Sequence, residues 1–504
     1  MRITFNTNSP ADYRTYLAVR RMPRYRIVGR DAEFPDEYAS LIGLAPAKPV
    51  GIDYTPSGFL FDYQRDISQL AIRKRKFAVF ADCGLGKTAI MLEFALHAES
   101  LGKRVLIVSP LMVCKQTVAE AKRFYGIDIP IIPAAKLQDW LTANGNNIAI
   151  TNYEAIRDGL TPGNLGALIL DESSMLKSMY GKFGSRLIEL GKGLEFKLCL
   201  TGTPAPNDRI EYGNHSVFLD VHRTTNEFLA KYFVNRGQTS DRWELRPHAL
   251  QSFYRDLSHW CIFLSNPAVY GWKDNCGNIP PINVTIHHVD MTDNQREAVQ
   301  DLTGSLFVKQ VGGIGSRGKL SQIAKGNNQG GAIDTNKFTF IRELVATWPT
   351  ESTIIWCHYN DEQERVSALF PDAANISGDT PHETRERLIA EFKAGERRIL
   401  ISKPKILGFG LNLQIATRQV FSGLQDSYEE YYQAVKRSNR VGSTRPLNVH
   451  IPITEIEEPM IATVLDKAAR IQADTEEQEK LFRGVGIGCR VQPAKKKGRK
   501  HASV

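Results

Sequence analysis

The residues best suited to chemistry form a glycine loop that ends in lysine and threonine, ADCGLGKT at 81–88. The apolar run FAVFA at 77–81 precedes this loop, and apolar residues at helical spacing continue from 88 to 99. A loop between a buried strand and the start of a helix is the setting that phosphate-binding loops require. Ala81 stands where the strict pattern has its first glycine, and the other defining positions match.

Each residue type in this loop has a role in binding nucleotide phosphates. Gly84 and Gly86 let backbone N–H groups approach the phosphates, toward which the following helix directs its positive end. Lys87 would reach the β- and γ-phosphates, and the Thr88 hydroxyl would bind magnesium. The loop therefore predicts binding of ATP with Mg²⁺.

A pair of carboxylates follows a second apolar strand, in ALILDESS at 167–174. Ligands of parallel sheets bind at the carboxyl ends of the strands, which is where this pair lies. Asp171 can hold magnesium, directly or through water, and Glu172 can then activate the attacking water. Two adjacent carboxylates are costly unless a cation lies between them. Alone the pair could equally be a solvated turn, but the phosphate loop upstream favours the catalytic interpretation.

Parallel sheets must position these residues, and the chain predicts two of them. Continuous apolar strands that alternate with helices indicate a parallel sheet covered on both faces. The first series of strands is expected at 77–81, 104–110, 147–154, 167–173 and 197–204, and the second at 352–359, 397–403, 418–423 and 447–453. The fold class is therefore α/β, with two tandem lobes, a helical insertion and a linker between them.

Composition suggests where the domains begin and end. We predict an N-terminal basic and aromatic segment at 1–50, a first lobe with a helical extension at 51–275, a linker at 276–330, a second lobe at 331–470, and a C-terminal helix with a basic tail at 471–504. Arginine and tyrosine alternate through 13–30, which could grip DNA or be an ordinary helix packed on the first lobe. The basic run at 494–500 fits a solubilising tail better than a phosphate-binding one.

Bulk properties exclude several classes of protein. No apolar run approaches the roughly 18–20 residues that cross a bilayer, and the N-terminus lacks the apolar core of a secretory signal. The seven cysteines are scattered, which fits neither a disulfide framework nor a zinc ribbon. The net charge of +9 favours a polyanionic partner. We therefore expect no membrane partner.

Further motifs extend the pattern over about 55–470. They are FDYQRD (61–66), DCGLGKT (82–88), VSPLMV (108–113), TNYE (151–154), DESS (171–174), TGTP (201–204), NISGDTPHETRERLIAEF (375–392), GFGLNLQIA (408–416) and QAVKRSNRVGSTRPLNVH (433–450). In order and spacing they resemble the superfamily 2 helicases, specifically the Swi/Snf-like branch of double-stranded DNA translocases. The chain departs from the family pattern at Ser173 and Ser174, and again at Asn439 and Ser443.

The resemblance implies two RecA-like lobes that close on ATP and Mg²⁺. Gln64 would contact adenine, and Gln433 would lie at the nucleotide. Arg437 and Arg440 of the second lobe would stabilise charge on the phosphoryl transition state. Because these arginines are three positions apart, we expect both on one face of a helix over about 427–440. The expected catalytic set is Lys87, Asp171, Glu172, Arg437 and Arg440.

The same resemblance implies contacts with a nucleic-acid backbone across both lobes. By motif position the candidates are Ser109, Thr151 and Asn152 in the first lobe, and Ser377 and Asn412 in the second. Such contacts fix position without reading sequence. We therefore expect salt-sensitive, sequence-independent binding to double-stranded DNA, with RNA left open.

The function that follows is ATP-dependent translocation on, or remodelling of, double-stranded DNA. Two alternatives stay open: a helicase that separates strands of DNA or RNA, and an ATP-gated scaffold that clamps nucleic acid. A wedge hairpin would favour the first alternative and a broken hydrolytic site the second. Because the flanks are short for a chromatin-reading module, we expect a bacterial or viral source and a cytoplasmic location, with a nuclear location as the alternative.

Overall fold

A computed structural model gives the architecture of the chain. It describes residues 1–44, 54–145, 147–177, 181–237, 242–274, 279–303, 314–407, 411–424, 426–440 and 442–485. In this described part of the chain, two six-stranded sheets form the centres of two lobes, and three smaller sheets accompany them. Within these ranges, every helix is too short or too polar to span a membrane.

The first 44 residues form a small folded unit, called the N-terminal unit below. Its elements are β1 (Arg2–Thr4), α1 (Pro10–Arg20), β2 (Arg26–Val28) and β3 (Asp31–Glu33). Helix α1 covers one face of an antiparallel sheet of order β1-β3-β2, with Phe5, Val19 and Phe34 in the core between them. The helix begins after Ser9, whose side chain accepts the backbone N–H of Asp12. The predicted segment 13–30 thus holds most of α1 and all of β2.

The first lobe is a parallel sheet of order β11-β4-β8-β7-β5-β6. Its elements and those of its helical extension are α2 (Asp62–Lys74), β4 (Lys76–Ala81), α3 (Lys87–Ser100), β5 (Arg104–Ser109), α4 (Leu111–Tyr125), α5 (Leu137–Thr142), β6 (Ile148–Asn152), β7 (Leu165–Asp171), α6 (Lys182–Leu190), β8 (Phe196–Thr201), α7 (Tyr212–Phe218), α8 (Thr225–Tyr232), β9 (Phe233–Asn235), β10 (Trp243–Leu245), α9 (Leu250–Trp260) and β11 (Cys261–Leu264).

Apolar residues on both faces of the strands account for this sheet. In β5, Val105 and Ile107 pack into one core cluster, whereas Leu106 and Val108 pack into the cluster on the opposite face. Helices cover both faces, as continuous apolar strands predict. All five predicted strands are confirmed, and the short strand β11 adds a sixth at the edge beside β4.

The second lobe is a parallel sheet of order β12-β19-β18-β15-β17-β16. Its elements are β12 (Ile282–His288), α10 (Asp293–Thr303), α11 (Ile314–Ala324), β13 (Asn327–Asn328), β14 (Gly331–Ala332), α12 (Asn336–Ala346), β15 (Thr353–Trp356), α13 (Asn360–Ala368), β16 (Ala374–Asn375), α14 (His382–Ala394), β17 (Ile399–Ser402), α15 (Pro404–Leu407), β18 (Arg418–Phe421), α16 (Tyr428–Val435), β19 (Leu447–Ile453) and α17 (Glu458–Val485).

The prediction that 276–330 is a linker is wrong for much of its length. Strand β12 pairs with β19 along its whole length and forms the edge of the second sheet. Helices α10 and α11 pack against Ile456 and Met460 of the same lobe. Strand β12 was missed because an edge strand is partly exposed, and its sequence INVTIHH mixes polar with apolar residues.

Helix α17 continues from the second lobe back to the first. Ile461 and Val464 at its start belong to the second-lobe core, and Phe482 near its end belongs to a first-lobe core. In between, Asp474 accepts a hydrogen bond from Arg209 at 2.5 Å. The predicted boundary at 470/471 therefore falls inside one helix, and the basic run at 494–500 lies outside the described residues.

Candidate functional site

The glycine loop follows β4 at the carboxyl edge of the first sheet. Gly84 and Gly86 have φ values of 87° and 70°, in the left-handed region that glycine adopts without strain. A Cβ at Gly86 would collide with the side-chain amide of Gln64. Gln64 is buried and accepts the backbone N–H of Phe61 at 3.1 Å. The structure therefore packs the predicted adenine-side glutamine directly on the phosphate loop.

Lys87 and Thr88 are the first two residues of α3. The Lys87 ammonium donates to the carbonyl oxygens of Ala81 at 2.9 Å and Asp82 at 3.4 Å. Burial alone would lower the pKa of Lys87, but the Cys83 thiol and the acidic pair hold it above its ordinary value. The cation thus lies inside the loop, where the phosphates of a nucleotide would meet it.

The acidic pair lies beside this loop, at the end of β7. Asp171 accepts the Ser109 hydroxyl at 2.9 Å, and Glu172 accepts the Thr201 hydroxyl at 3.2 Å. Burial, together with the neighbouring Glu172 carboxylate, raises the pKa of Asp171 to about 7. A divalent cation would relieve this repulsion, and carboxylate and hydroxyl oxygens are ligands that Mg²⁺ accepts. Asp171 and Thr88 therefore carry oxygen groups of the kind that magnesium binds.

The backbone at Glu172 is strained. Its φ and ψ of 53° and 53° lie in the left-handed region, which costs a non-glycine residue energy. Strain of this kind persists where the surrounding structure imposes it, and it clusters at functional sites. The strain is located at the residue predicted to activate water.

The second lobe meets the loop through the chain that follows α16. Arg437 donates to the side-chain oxygen of Gln433 at 3.0 Å, and the Cys83 thiol of the first lobe lies 3.8 Å from the same oxygen. Burial lowers the pKa of Arg437, while Cys83 and Glu172 oppose this shift. The structure therefore brings Gln433 and Arg437 to the nucleotide loop. Arg440 is half-exposed and close to Arg437.

The expected helix over 427–440 is wrong in its last turn. Helix α16 ends at Val435, so Arg437 and Arg440 do not share a helix face. Ser438 accepts the side-chain amide of Gln419 at 2.8 Å, and Asn439 donates to Pro280 at 2.7 Å. Short polar side chains with tertiary partners compete with helix continuation, which accounts for the early end.

Sequence reasoning missed a contact that joins the lobes at the phosphate loop. Asp82 accepts the Lys436 ammonium at 2.9 Å and also accepts the Tyr432 hydroxyl. We call these three residues the cross-lobe latch. Nearby, Glu429 accepts the Lys177 ammonium, which adds a second bridge. Asp82 and Lys436 do lie within the matched motifs, but one sequence does not reveal that residues so far apart form a pair.

For two of the predicted nucleic-acid contacts, the structure buries the side chain that would make the contact. Ser109 is fully buried, and its hydroxyl points at Asp171. Thr151 is also fully buried and donates to the Ile132 carbonyl at 2.7 Å. Both residues lie near strand ends but face inward. The Ser109 hydroxyl is therefore engaged by Asp171 and faces away from the surface.

The other three candidates have accessible side chains. Asn152 is half-exposed, and its side-chain oxygen accepts the N–H of Ala155 at 2.9 Å. Ser377 is half-exposed beside Thr380. Asn412 is exposed. Contact of these residues with nucleic acid stays a prediction.

Comparisons with known proteins agree with this geometry. Residues 61–210 match the family model of the DEAD/DEAH box helicase, and residues 336–442 match that of the helicase conserved C-terminal domain. The first match contains the loop and the acidic pair, and the second contains Gln433, Arg437 and Arg440.

Two relatives and one solved structure extend the comparison. The mouse DNA annealing helicase and endonuclease ZRANB3 is 23% identical over 461 residues, which is 84% of this chain and 42% of that protein. The mouse SWI/SNF-related matrix-associated actin-dependent regulator of chromatin subfamily A member 1 is 22% identical over 470 residues, 82% of this chain and 43% of that protein. The SWI2/SNF2 ATPase core of Sulfolobus solfataricus in complex with dsDNA aligns with a TM-score of 0.39 and 19% identity, over 86% of this chain and 98% of that one.

The chain spans less than half the length of these two relatives. Within that span, the matched region contains the loop, the acidic pair and the arginine motif in the order that the resemblance predicts. One of the two relatives is named SWI/SNF-related, and the two domain matches show that the chain belongs to the helicases that combine a DEAD/DEAH box domain with a conserved C-terminal domain.

Proposed function

We propose that the protein hydrolyses ATP and uses the energy to move along double-stranded DNA without reading its sequence. One observation carries the proposal. The phosphate loop of the first lobe meets Gln433 and Arg437 of the second lobe at one seam, where the Gln433 side-chain oxygen accepts Arg437 at 3.0 Å and lies 3.8 Å from the Cys83 thiol. A site shared between two lobes suits a reaction that is coupled to movement.

Each residue at the seam has a role in hydrolysis. Gly84, Gly86 and Lys87 would hold the phosphates, with Gln64 on the adenine side. Thr88 and Asp171 would hold magnesium, which supplies charge neutralisation on the β- and γ-phosphates when bound. Glu172 would take a proton from the attacking water. Arg437 and Arg440 would stabilise negative charge on the transferred phosphoryl group, with Gln433 orienting Arg437.

Hydrolysis would drive movement by changing the balance between closed and open lobes. A nucleotide that touches both lobes favours the closed arrangement, and its loss favours the open one. The cross-lobe latch and helix α17 would confine this opening to a limited range, because both already join the lobes.

Three observations support DNA as the polymer along which the protein moves. The net charge is +9, which favours a phosphate backbone. The mouse protein ZRANB3, which is similar to this chain over 84% of its length, is named a DNA annealing helicase. Asn152, Ser377 and Asn412 offer amide and hydroxyl groups, which contact phosphates without distinguishing bases.

ATP turnover measured with duplex DNA, single-stranded DNA or RNA tests the proposal. We expect duplex DNA to raise turnover most, and to do so for unrelated sequences alike. In a triplex-displacement assay we expect release of the third strand without separation of the duplex. Strand separation would support the helicase alternative, and stimulation by RNA alone would contradict the choice of DNA. Lys87→Ala should abolish turnover in every mixture and serves as the control that the activity belongs to this site.

A further inference from the structure

The exposed side of the N-terminal unit is unusually rich in arginine and tyrosine. Residues 1–44 contain seven arginines and no lysine. Three of these arginines and two tyrosines lie along α1 and directly after it, and we call them the arginine-tyrosine strip: Tyr13, Arg14, Tyr16, Arg20 and Arg21. Arginine differs from lysine in having a planar group that pairs with phosphate and stacks on rings. A merely solvated surface has no need of this bias.

The strip has an ordered geometry. The rings of Tyr13 and Tyr16 are stacked, with centroids 6.3 Å apart and planes 17° apart. The guanidinium of Arg20 lies over the Tyr16 ring, 5.8 Å from its centroid. Tyr13 is 61% exposed, so its ring is open to a partner. Arg14, Arg20 and Arg21 form no ion pair with any residue that the structure describes.

A cavity of about 280 Å³ lies against the two tyrosines. Phe5, Tyr13 and Tyr16 give it aromatic walls, while Asn6, Arg30 and Asp12, whose carboxylate accepts the Asn6 backbone N–H at 2.6 Å, supply polar groups. The space suits one nucleobase, which is planar, stacks on rings and forms hydrogen bonds at its edge. Arg30 lines the same cavity, where it can meet the phosphate attached to that base.

The unit is held firmly on the first lobe. Arg24 pairs with the buried Asp256 at 2.9 Å, and the Tyr38 hydroxyl donates to the Arg255 carbonyl at 3.1 Å. Glu37, almost fully buried, pairs with Lys74. Lys74 and Asp256 precede the amino ends of β4 and β11, so the unit sits at the sheet edge opposite the phosphate loop. A strand bound there would be separate from the nucleotide seam.

We propose that the strip and its cavity bind an unpaired nucleotide of single-stranded DNA. The base would stack on Tyr13 and Tyr16, and Arg14, Arg20 and Arg30 would bind the adjoining phosphates. Stacking accepts any base, so the site would be tolerant of sequence. The choice of DNA rests on the proposed function. A motor with this second site would prefer substrates in which a duplex continues into an unpaired strand.

The test uses the full chain and a fluorescent oligodeoxythymidine. Excess unlabelled hairpin duplex occupies the surface of the two lobes that would bind double-stranded DNA. Fluorescence anisotropy gives the dissociation constant. Tyr13→Ala combined with Arg20→Ala should weaken binding about tenfold or more, because a stacked base and a phosphate contact are both lost. Arg26→Ala is the matched control: Arg26 is exposed on the same unit but on the sheet face away from α1, and we expect a change of less than about twofold.

Crosslinking locates the bound strand. An oligodeoxythymidine carrying 5-iododeoxyuridine should crosslink to peptides from residues 1–44 in the wild type and lose those crosslinks in the double variant. Tyr13→Phe should keep them, because the stacking ring remains. Unchanged binding in the double variant, or crosslinks confined to other parts of the chain, would overturn the proposal.

Duplex-stimulated ATP turnover separates this proposal from the motor proposal. We expect the double variant to keep it, since the strip lies away from the seam. If duplex DNA fails to stimulate ATP turnover by the wild type, the motor proposal fails. Oligonucleotide binding still tests the proposal for the arginine-tyrosine strip. If the double variant loses both turnover and oligonucleotide binding, the strip is part of the motor track and a separate site is refuted.

Discussion

Two clusters of charged side chains, one in each lobe, differ in how completely their charges are compensated. In the second lobe, Lys325 and Lys337 donate to Glu457 at 2.9 and 2.7 Å, and all three side chains are at most 1% exposed. Burial alone would raise the pKa of Glu457, but the two ammonium groups lower it to about 2. This cluster is satisfied by the protein itself.

The cluster at the seam is not satisfied in this way. Asp171 and Glu172 accept hydroxyl hydrogen bonds from Ser109 and Thr201, and the Lys87 ammonium donates to backbone carbonyls. Burial and the Glu172 carboxylate accordingly raise the pKa of Asp171 to about 7. Within the described residues neither carboxylate has an ammonium hydrogen-bond partner, and the charge of Lys87 offsets the rise in the pKa of Asp171 only in part.

The difference teaches how to separate structural charge from functional charge. A buried carboxylate with ammonium partners stabilises the fold, and removing a partner is costly. An adjacent carboxylate pair without such partners is unfavourable for the fold, and charge of this kind is typical of sites that a ligand completes. Substitutions in the two clusters should therefore affect different observables.

The largest expected effect is a loss of ATP turnover when one of the two seam arginines, Arg437 or Arg440, is replaced. Arg437→Ala or Arg440→Ala should lower ATP turnover by about 10³-fold or more, because a guanidinium that stabilises the phosphoryl transition state is worth that much. Nucleotide affinity should stay nearly unchanged. Steady-state turnover and equilibrium binding of a fluorescent ATP analogue measure both quantities.

Arg445→Ala provides the matched control for these arginines. Arg445 is exposed on the same connection before β19, and its loss should leave turnover within about twofold of the wild type. A large loss of nucleotide binding in the Arg437 or Arg440 variant would argue for a defect in folding and against a role in the transition state.

The next largest effect is on the free energy of unfolding, and it comes from the cluster of Lys325, Lys337 and Glu457 in the second lobe. Glu457→Gln should lower the free energy of unfolding of the second lobe by about 3–5 kcal/mol, since it leaves two buried ammonium groups without their carboxylate. Urea unfolding followed by tryptophan fluorescence measures the change. Asp293→Asn, which disrupts an exposed pair with Arg296 on the same lobe, should change it by less than about 1 kcal/mol.

The same cluster predicts a pH dependence. The pKa of Glu457 falls from an ordinary value of 4.5 to about 2, so its stabilisation is present above pH 4.5 and is lost as the pH falls toward 2. The wild type should lose this contribution in acid, whereas Glu457→Gln should not. Equal acid sensitivity of the two proteins would contradict the assignment.

A smaller effect is expected from the cross-lobe latch. Lys436→Ala should reduce turnover roughly two- to tenfold, because Asp82 loses a half-buried ionic partner from the other lobe while keeping Tyr432. Energy transfer between labels on the two lobes should show a wider mean separation without nucleotide. Lys405→Ala, at an exposed lysine on the same lobe, should change neither measurement. Unaltered separation in the Lys436 variant would mean that the latch does not hold the lobes.

The sequence predicted the elements whose patterns are local. Strands such as β5 are apolar on both faces, so their runs stand out along the chain. The loop and the acidic pair were correctly expected on one sheet edge, because parallel strands place their carboxyl ends together. Strand β12 was not predicted, because an edge strand needs no continuous apolar run.

The missed features depend on tertiary contacts. The end of α16 at Val435 is set by the bonds that Ser438 and Asn439 make with distant residues. Motif position gave the location of Ser109 and Thr151 but not the direction of their side chains, and both face inward. The cross-lobe latch joins two motifs across the fold, a pairing that a single sequence does not contain.

The most direct test of the central claim is ATP turnover by Glu172→Gln, measured with saturating ATP and duplex DNA. The claim is that the acidic pair at the seam, which lacks an ammonium hydrogen-bond partner among the described residues, serves hydrolysis. We predict a loss of about 10²- to 10⁴-fold with nucleotide binding retained, because the group that accepts a proton from water is gone. Turnover at the wild-type rate in this variant would contradict the account.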